Sequence, residues 1–171
     1  MQIKAVRIND ENFKPYGWVM QKPARASDAA NAQLAYWDNS FTLVNLNGNG
    51  VFGFLEVTRI PLELTMMDML PESVRIYLSV DAKPSIQFVA LNEKGSLKPD
   101  LKTLKAFIME DGDGVVIEKG VWHWTPFALT EKASFAMGLR NDIMTFNGGK
   151  YSVDESKVKY FPMGEPVSVT F

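Results

Sequence analysis

The only histidine of this 171-residue chain, His123, falls in the stretch Gly112–Pro126, GDGVVIEKGVWHWTP. An imidazole with an ordinary pKa near 6.5 can take or give a proton close to neutral pH, which makes His123 the first candidate for acid–base chemistry. Arg75 is the second residue of interest. It stands in the middle of Ser73–Val80, where Ser73, Arg75, Tyr77 and Ser79 alternate with Val74, Ile76, Leu78 and Val80. In a strand this alternation separates a polar face from an apolar one. The polar face then either meets solvent or lines a wet pocket, and Arg75 decides between the two, because an arginine is rarely buried without a partner.

The elements that would hold these residues read as strands. After the Gly112-Asp113-Gly114 turn, the β-branched run Val115–Ile117 favours a pleated surface, and glycine permits the positive φ of tight reversals. Glu118-Lys119-Gly120 then predicts a hairpin corner at Gly120, followed by a strand through Val121–Trp124. Trp122 and Trp124 flank His123 and point to the opposite face, so His123 faces a barrel interior or a cleft. The competing reading is a core or rim histidine held for structural reasons.

Earlier in the chain, Gln2–Ile8 alternates as a strand, and Asn9 or Asp10 can cap a short helical turn through Phe13. Lys22–Gln33 is small and polar, a surface loop or a lid. Further strands are expected at Leu34–Trp37, Phe41–Leu46, Val51–Arg59, Leu62–Met67, Ser85–Leu91 and Ala133–Arg140. Strands at this spacing without intervening helices suggest an antiparallel sandwich or barrel. Asp100 is expected to cap a helical turn through Leu101–Lys105. The alternating terminus Pro166–Phe171 is expected to be an edge strand or to dock on a second subunit. The length suits one domain spanning residues 1–171.

Composition narrows the function classes. There is no cysteine, so a thiol nucleophile and a thiolate metal site are excluded. With a single histidine, a metal site would have to be mostly carboxylate, which argues against zinc; no metal and no other cofactor is expected. The net charge is −2 and the lysines and arginines are scattered, which gives no reason to expect nucleic acid or an anionic membrane as partner. No run of about 18 apolar residues occurs, and the chain reads as soluble and cytoplasmic.

The Gly-Asp turn with a glycine and histidine further on resembles the second cupin motif, with Glu118 where that motif commonly has proline. More specifically, three stretches resemble the ureidoglycolate lyase (ureidoglycolate hydrolase) family, a cupin-like fold of allantoin degradation. Phe13-Lys14-Pro15-Tyr16-Gly17-Trp18-Val19 is similar to its Phe-x-Pro-Tyr-Gly-x-Val opening. Pro99-Asp100-Leu101-Lys102-Thr103-Leu104-Lys105-Ala106-Phe107 is similar to its Pro-Asp-Leu-x-Thr-Leu-x-Ala-Phe segment, and Gly114-Val115 and Gly120-Val121-Trp122-His123 to its Gly-Val and Val-Trp-His elements. The chain departs from the family where Thr65, Leu70 and Glu118 replace histidines, where Arg75 replaces a glutamine, and where Trp124-Thr125 delay Pro126.

The resemblance implies a mainly β, cupin-like double-stranded β-helix or antiparallel β-sandwich barrel with few short helices. It also implies a homodimer acting on a small carboxylated substrate, with urea eliminated from ureidoglycolate to leave glyoxylate. For that reaction His123 is the candidate base or acid, and Glu118 its partner or orienting carboxylate. Asp68 is a second acid or base. Arg75 and Arg140 are candidate clamps for the substrate carboxylate, with Tyr77 and Trp122 as further substrate contacts. The alternative is a catalytically altered cupin that binds a small carboxylate or sugar as sensor or carrier.

Overall fold

The computed structural model describes residues 1–23, 25–37, 48–147 and 150–171. In chain order its elements are β1 (Gln2–Arg7), α1 (Asp10–Phe13), β2 (Gly17–Met20), β3 (Ala29–Ala30), β4 (Ala35–Tyr36), β5 (Gly50–Thr58), β6 (Glu63–Met69), β7 (Arg75–Ser79) and β8 (Ser85–Ala90). They continue with β9 (Lys105–Met109), β10 (Gly114–Ile117), β11 (Trp122–His123), β12 (Phe127–Ala128), β13 (Lys132–Arg140), β14 (Met144–Asn147), β15 (Lys150–Val153) and β16 (Lys159–Thr170). The strand expected at Phe41–Leu46 lies outside the described residues.

Local chemistry accounts for the start of the chain. The Asn9 side chain accepts from the backbone N–H groups of Glu11 and Asn12, at 3.0 and 2.9 Å, while Asn12 Oδ1 accepts from Asn9 N at 3.0 Å. This reciprocal capping box satisfies donors that would otherwise be orphaned at the start of a one-turn helix. Gly17 then opens β2 at φ +149°, and a Cβ there would meet the Val116 carbonyl oxygen at 2.0 Å. Only glycine lets β2 lie this close to β10.

The strands form two layers. In the first, β11, β6, β16, β1, β9 and β8 pair in that order, and β8 pairs back onto β11, closing a barrel with β12 attached at β8. Its interior is filled by Leu64, Met67, Met69, Ile86, Phe88, Ala106, Trp122 and Val167. The second layer is the sheet β2-β10-β7-β13-β5. Between the layers lies the other main core, with Phe107, Val89 and Val121 from the barrel wall facing Tyr77, Val115, Ile117 and Phe135 from the sheet. This is the cupin-like, mainly β architecture expected from the sequence. Among the described residues, no helix is long and apolar enough to cross a membrane.

Three local expectations are corrected. The Glu118–Gly120 turn does not close a hairpin: β10 pairs with β2 and β7, whereas β11 pairs with β6 and β8. The chain changes layers at Gly120, whose φ is +77° and whose N–H donates to the Leu70 carbonyl at 2.8 Å. Residues 101–103 form turns rather than a helix, with Asp100 Oδ1 accepting from Lys102 N at 3.0 Å; a short Asx turn satisfies the same donors. Finally, β16 is an interior strand between β6 and β1, and β1 runs parallel to both β16 and β9.

Candidate active site

Strand parity places the chemistry. On β11, Trp122 points into the barrel, where its Nε1 donates to Asn92 Oδ1 at 2.8 Å and its ring packs edge-on against Phe161. His123 therefore points outward, toward the second sheet. On β6, Met67 and Met69 fill the barrel, which leaves Asp68 on the outer face. Because β11 and β6 are antiparallel with His123 opposite Asp68, the two side chains emerge side by side. From the other layer, β7 presents Arg75 and Tyr77 inward, and Val74 and Ile76 outward into a separate apolar cluster. The polar face of Ser73–Val80 is thus the one turned toward the barrel.

The cluster is tight. His123 is 1% exposed. Its Nδ1 lies 2.9 Å from the Val121 carbonyl, which can only accept, so Nδ1 carries the proton and Nε2 a lone pair. Arg75 Nε donates to that Nε2 at 3.4 Å, and Asp68 Oδ1 stands 3.2 Å from it. The second Asp68 oxygen is 3.7 Å from the Arg75 guanidinium. Burial holds the His123 pKa below its ordinary value, against the pull of Asp68, with Arg75 adding to the depression. His123 is therefore a neutral base at neutral pH.

Arg75, Asp68 and Tyr77 line a cleft of about 300 Å³ with Phe54, Leu55, Thr125, Met137 and Met144. Within it, one terminal nitrogen of Arg75 meets, among the described residues, two thioether sulfurs, Met137 Sδ at 3.5 Å and Met144 Sδ at 3.7 Å. Sulfur is a weak acceptor, so an anion entering the cleft would displace it readily. The site does not suit a metal ion. Asp68 and His123 are joined by no third histidine or carboxylate among the described residues, and their free electron pairs face a fixed guanidinium.

The remaining candidates sit elsewhere. Glu118 lies at the turn between layers, its Oε1 accepting from Lys119 N at 3.3 Å. Arg140 is directed to Asp142 Oδ1 at 2.5 Å and to the Glu72 carbonyl at 3.4 Å. Trp122 is on the barrel side of β11, away from the cleft. Sequence reasoning did not single out Thr125, Met137 or Met144. The alternation of Lys132–Arg140 puts Met137 on the inner face of β13, opposite Tyr77, and was the one signal that could have found it.

Fold and site together define a class: a cupin-like barrel whose outer wall carries a buried neutral histidine beside a cleft lined by an arginine and an aspartate. The sequence model of the ureidoglycolate lyase family matches residues 1–157. A ureidoglycolate lyase of Escherichia coli strain SMS-3-5 is 27% identical over 145 residues, covering 79% of this chain and 85% of that protein. Those of strain K12 and of Escherichia coli O1:K1 / APEC are 25% and 26% identical over the same share. The chain belongs to the ureidoglycolate lyase family.

Proposed function

We propose that this chain is a carbon–nitrogen lyase of the ureidoglycolate type, eliminating urea from ureidoglycolate to leave glyoxylate. The observation that carries the reading is the meeting of the buried His123 with Asp68 and Arg75, which line one cleft, and family membership supports it. Arg75 takes the substrate carboxylate where it now faces the two thioethers. His123 Nε2 accepts the hydroxyl proton as the carbonyl of glyoxylate forms and the carbon–nitrogen bond breaks. Asp68 Oδ1 holds the imidazolium, and the proton passes on to the departing urea nitrogen. Tyr77 supplies a wall of the cleft.

Glyoxylate release from ureidoglycolate, assayed beside His123→Ala, tests this. The variant is expected to lose about a hundredfold or more, the scale of an acid–base group. No release from folded wild-type protein would sink the assignment.

The 171 residues are read as one cupin-like domain, since β1 and β16 from the two ends of the chain pair inside one barrel. The enzyme is read as a cytoplasmic homodimer serving allantoin degradation. The exposed rings of Phe52 and Phe54 on β5, 56% and 80% exposed, support the dimer. Light scattering that gives a monomer mass would remove that part of the reading.

A further inference from the structure

The cleft does not end at the catalytic cluster. Along β5, Leu55 faces the polar cleft, and Val57, next on the same face, lines a second cavity of about 190 Å³ with Thr58, Ile60, Trp124, Thr125, Pro126 and Phe127. The two cavities share Thr125. The second has no charged side chain in its lining. Its floor, Trp124–Pro126, lies where β11 gives way to β12, opposite β8. That segment is pinned from beneath: the fully buried Gln87 donates from Nε2 to the Trp124 carbonyl at 2.7 Å and to the Phe88 carbonyl at 2.9 Å. Removing both donors from bulk water makes this a fixed wall rather than a loose loop.

We infer that this apolar lobe is a substrate subsite, and that the chain acts on ureidoglycolates whose distal nitrogen carries an apolar substituent. The inference rests on the lyase reading and specifies its substrate class. With the carboxylate at Arg75 and the carbinol hydroxyl at His123, the ureido arm runs past Thr125 and its far nitrogen reaches the lobe. A free ureido nitrogen would leave Val57, Ile60, Trp124 and Phe127 facing water, whereas a small alkyl group there removes apolar surface from water on both sides. The chemistry balances unchanged: the hydroxyl proton leaves, the carbonyl forms, the carbon–nitrogen bond breaks, and the nitrogen of the departing substituted urea gains a proton.

Binding of two unreactive analogues, with a carbonyl in place of the carbinol, separates this inference from the lyase reading. Calorimetry would compare oxalurate with its N′-isobutyl derivative on wild-type protein and on Ile60→Asp, a change at an exposed position outside the strands. The isobutyl group is expected to tighten binding about tenfold or more in the wild type. Ile60→Asp should abolish that gain, read as the ratio of the two affinities on the same variant. Equal or weaker binding of the isobutyl compound by folded wild type would overturn the subsite, even where ureidoglycolate is turned over. A tenfold gain by a protein that releases no glyoxylate would support the subsite and overturn the lyase reading instead.

Discussion

Asp68 Oδ1 stands 3.2 Å from His123 Nε2, a hydrogen-bond distance with no hydrogen in it. The one proton of the neutral imidazole is on Nδ1, facing the Val121 carbonyl, and Oδ1 is buried with no hydrogen bond among the described residues. A proton arriving at Nε2 completes the bond and satisfies both atoms at once. The arrangement is set to take up one proton, as the general base proposed for this site must.

The first expectation concerns pH. Burial depresses the His123 pKa below 6.5, so the base form persists to lower pH than in a free imidazole. The acid limb of kcat/KM should therefore fall below pH 6.5. Stability follows the same sign: the unfolded chain takes up this proton near 6.5 and the folded chain only lower, so stability is lost as pH falls through that interval. Urea midpoints at about pH 7.5 and about pH 5.5 should converge in His123→Gln relative to wild type. An acid limb above 6.5 would contradict the assignment.

Asp68→Asn keeps the shape of the side chain and removes the charge that holds the imidazolium. We expect kcat to drop by roughly tenfold to a thousandfold, with KM changed little, since the loss falls on the protonated state. Steady-state kinetics on the purified variant decides it. A rise in KM alone would make Asp68 a binding group.

Arg75→Lys preserves a positive charge and loses the planar fork. If the guanidinium grips the substrate carboxylate while its Nε touches His123, lysine cannot do both. KM should rise about tenfold or more, at a cost of about 1.4 kcal/mol. Wild-type KM in Arg75→Lys would mean the carboxylate binds elsewhere.

Gly17→Ala tests the contact of the layers rather than the chemistry. Its Cβ would lie 2.0 Å from the Val116 carbonyl oxygen, with backbone on both sides. Destabilisation of about 2–3 kcal/mol is expected, read as a lower urea midpoint at unchanged slope. Stability equal to wild type would show that β2 can move away from β10.

Much of the fold was legible because strands announce themselves locally. The alternation in Ser73–Val80, the β-branched run Val115–Ile117 and the cap at Asn9 each depend on neighbours in sequence. The site was legible in its members more than in its assembly. His123, Asp68 and Arg75 were all candidates, but what brings Asp68 to His123 is the register of β6 against β11, a pairing between distant strands. Glu118 drew attention because it is near in sequence, whereas the layer change at Gly120 carries His123 into another sheet. Likewise, alternation separated the two faces of β7 but could not say which one the barrel covers. That depends on the barrel standing in front of one of them.

The pairing of β1 with β16 sets an order on synthesis. Gln2 lies opposite Ser168 and Ile3 opposite Val169, so the barrel closes through residues made early and residues made more than 160 positions later. Until β16 leaves the ribosome, β1 and β6 each keep an unpaired flank, and their barrel-facing side chains lack a closed interior to fill. The Asp68–His123 pair inherits this schedule, since Asp68 sits on β6, between the strand carrying His123 and β16. A nascent chain is thus expected to bring Asp68 and His123 into their final geometry only once β16 has been made, by closing a long loop rather than by growing from a finished N-terminal half.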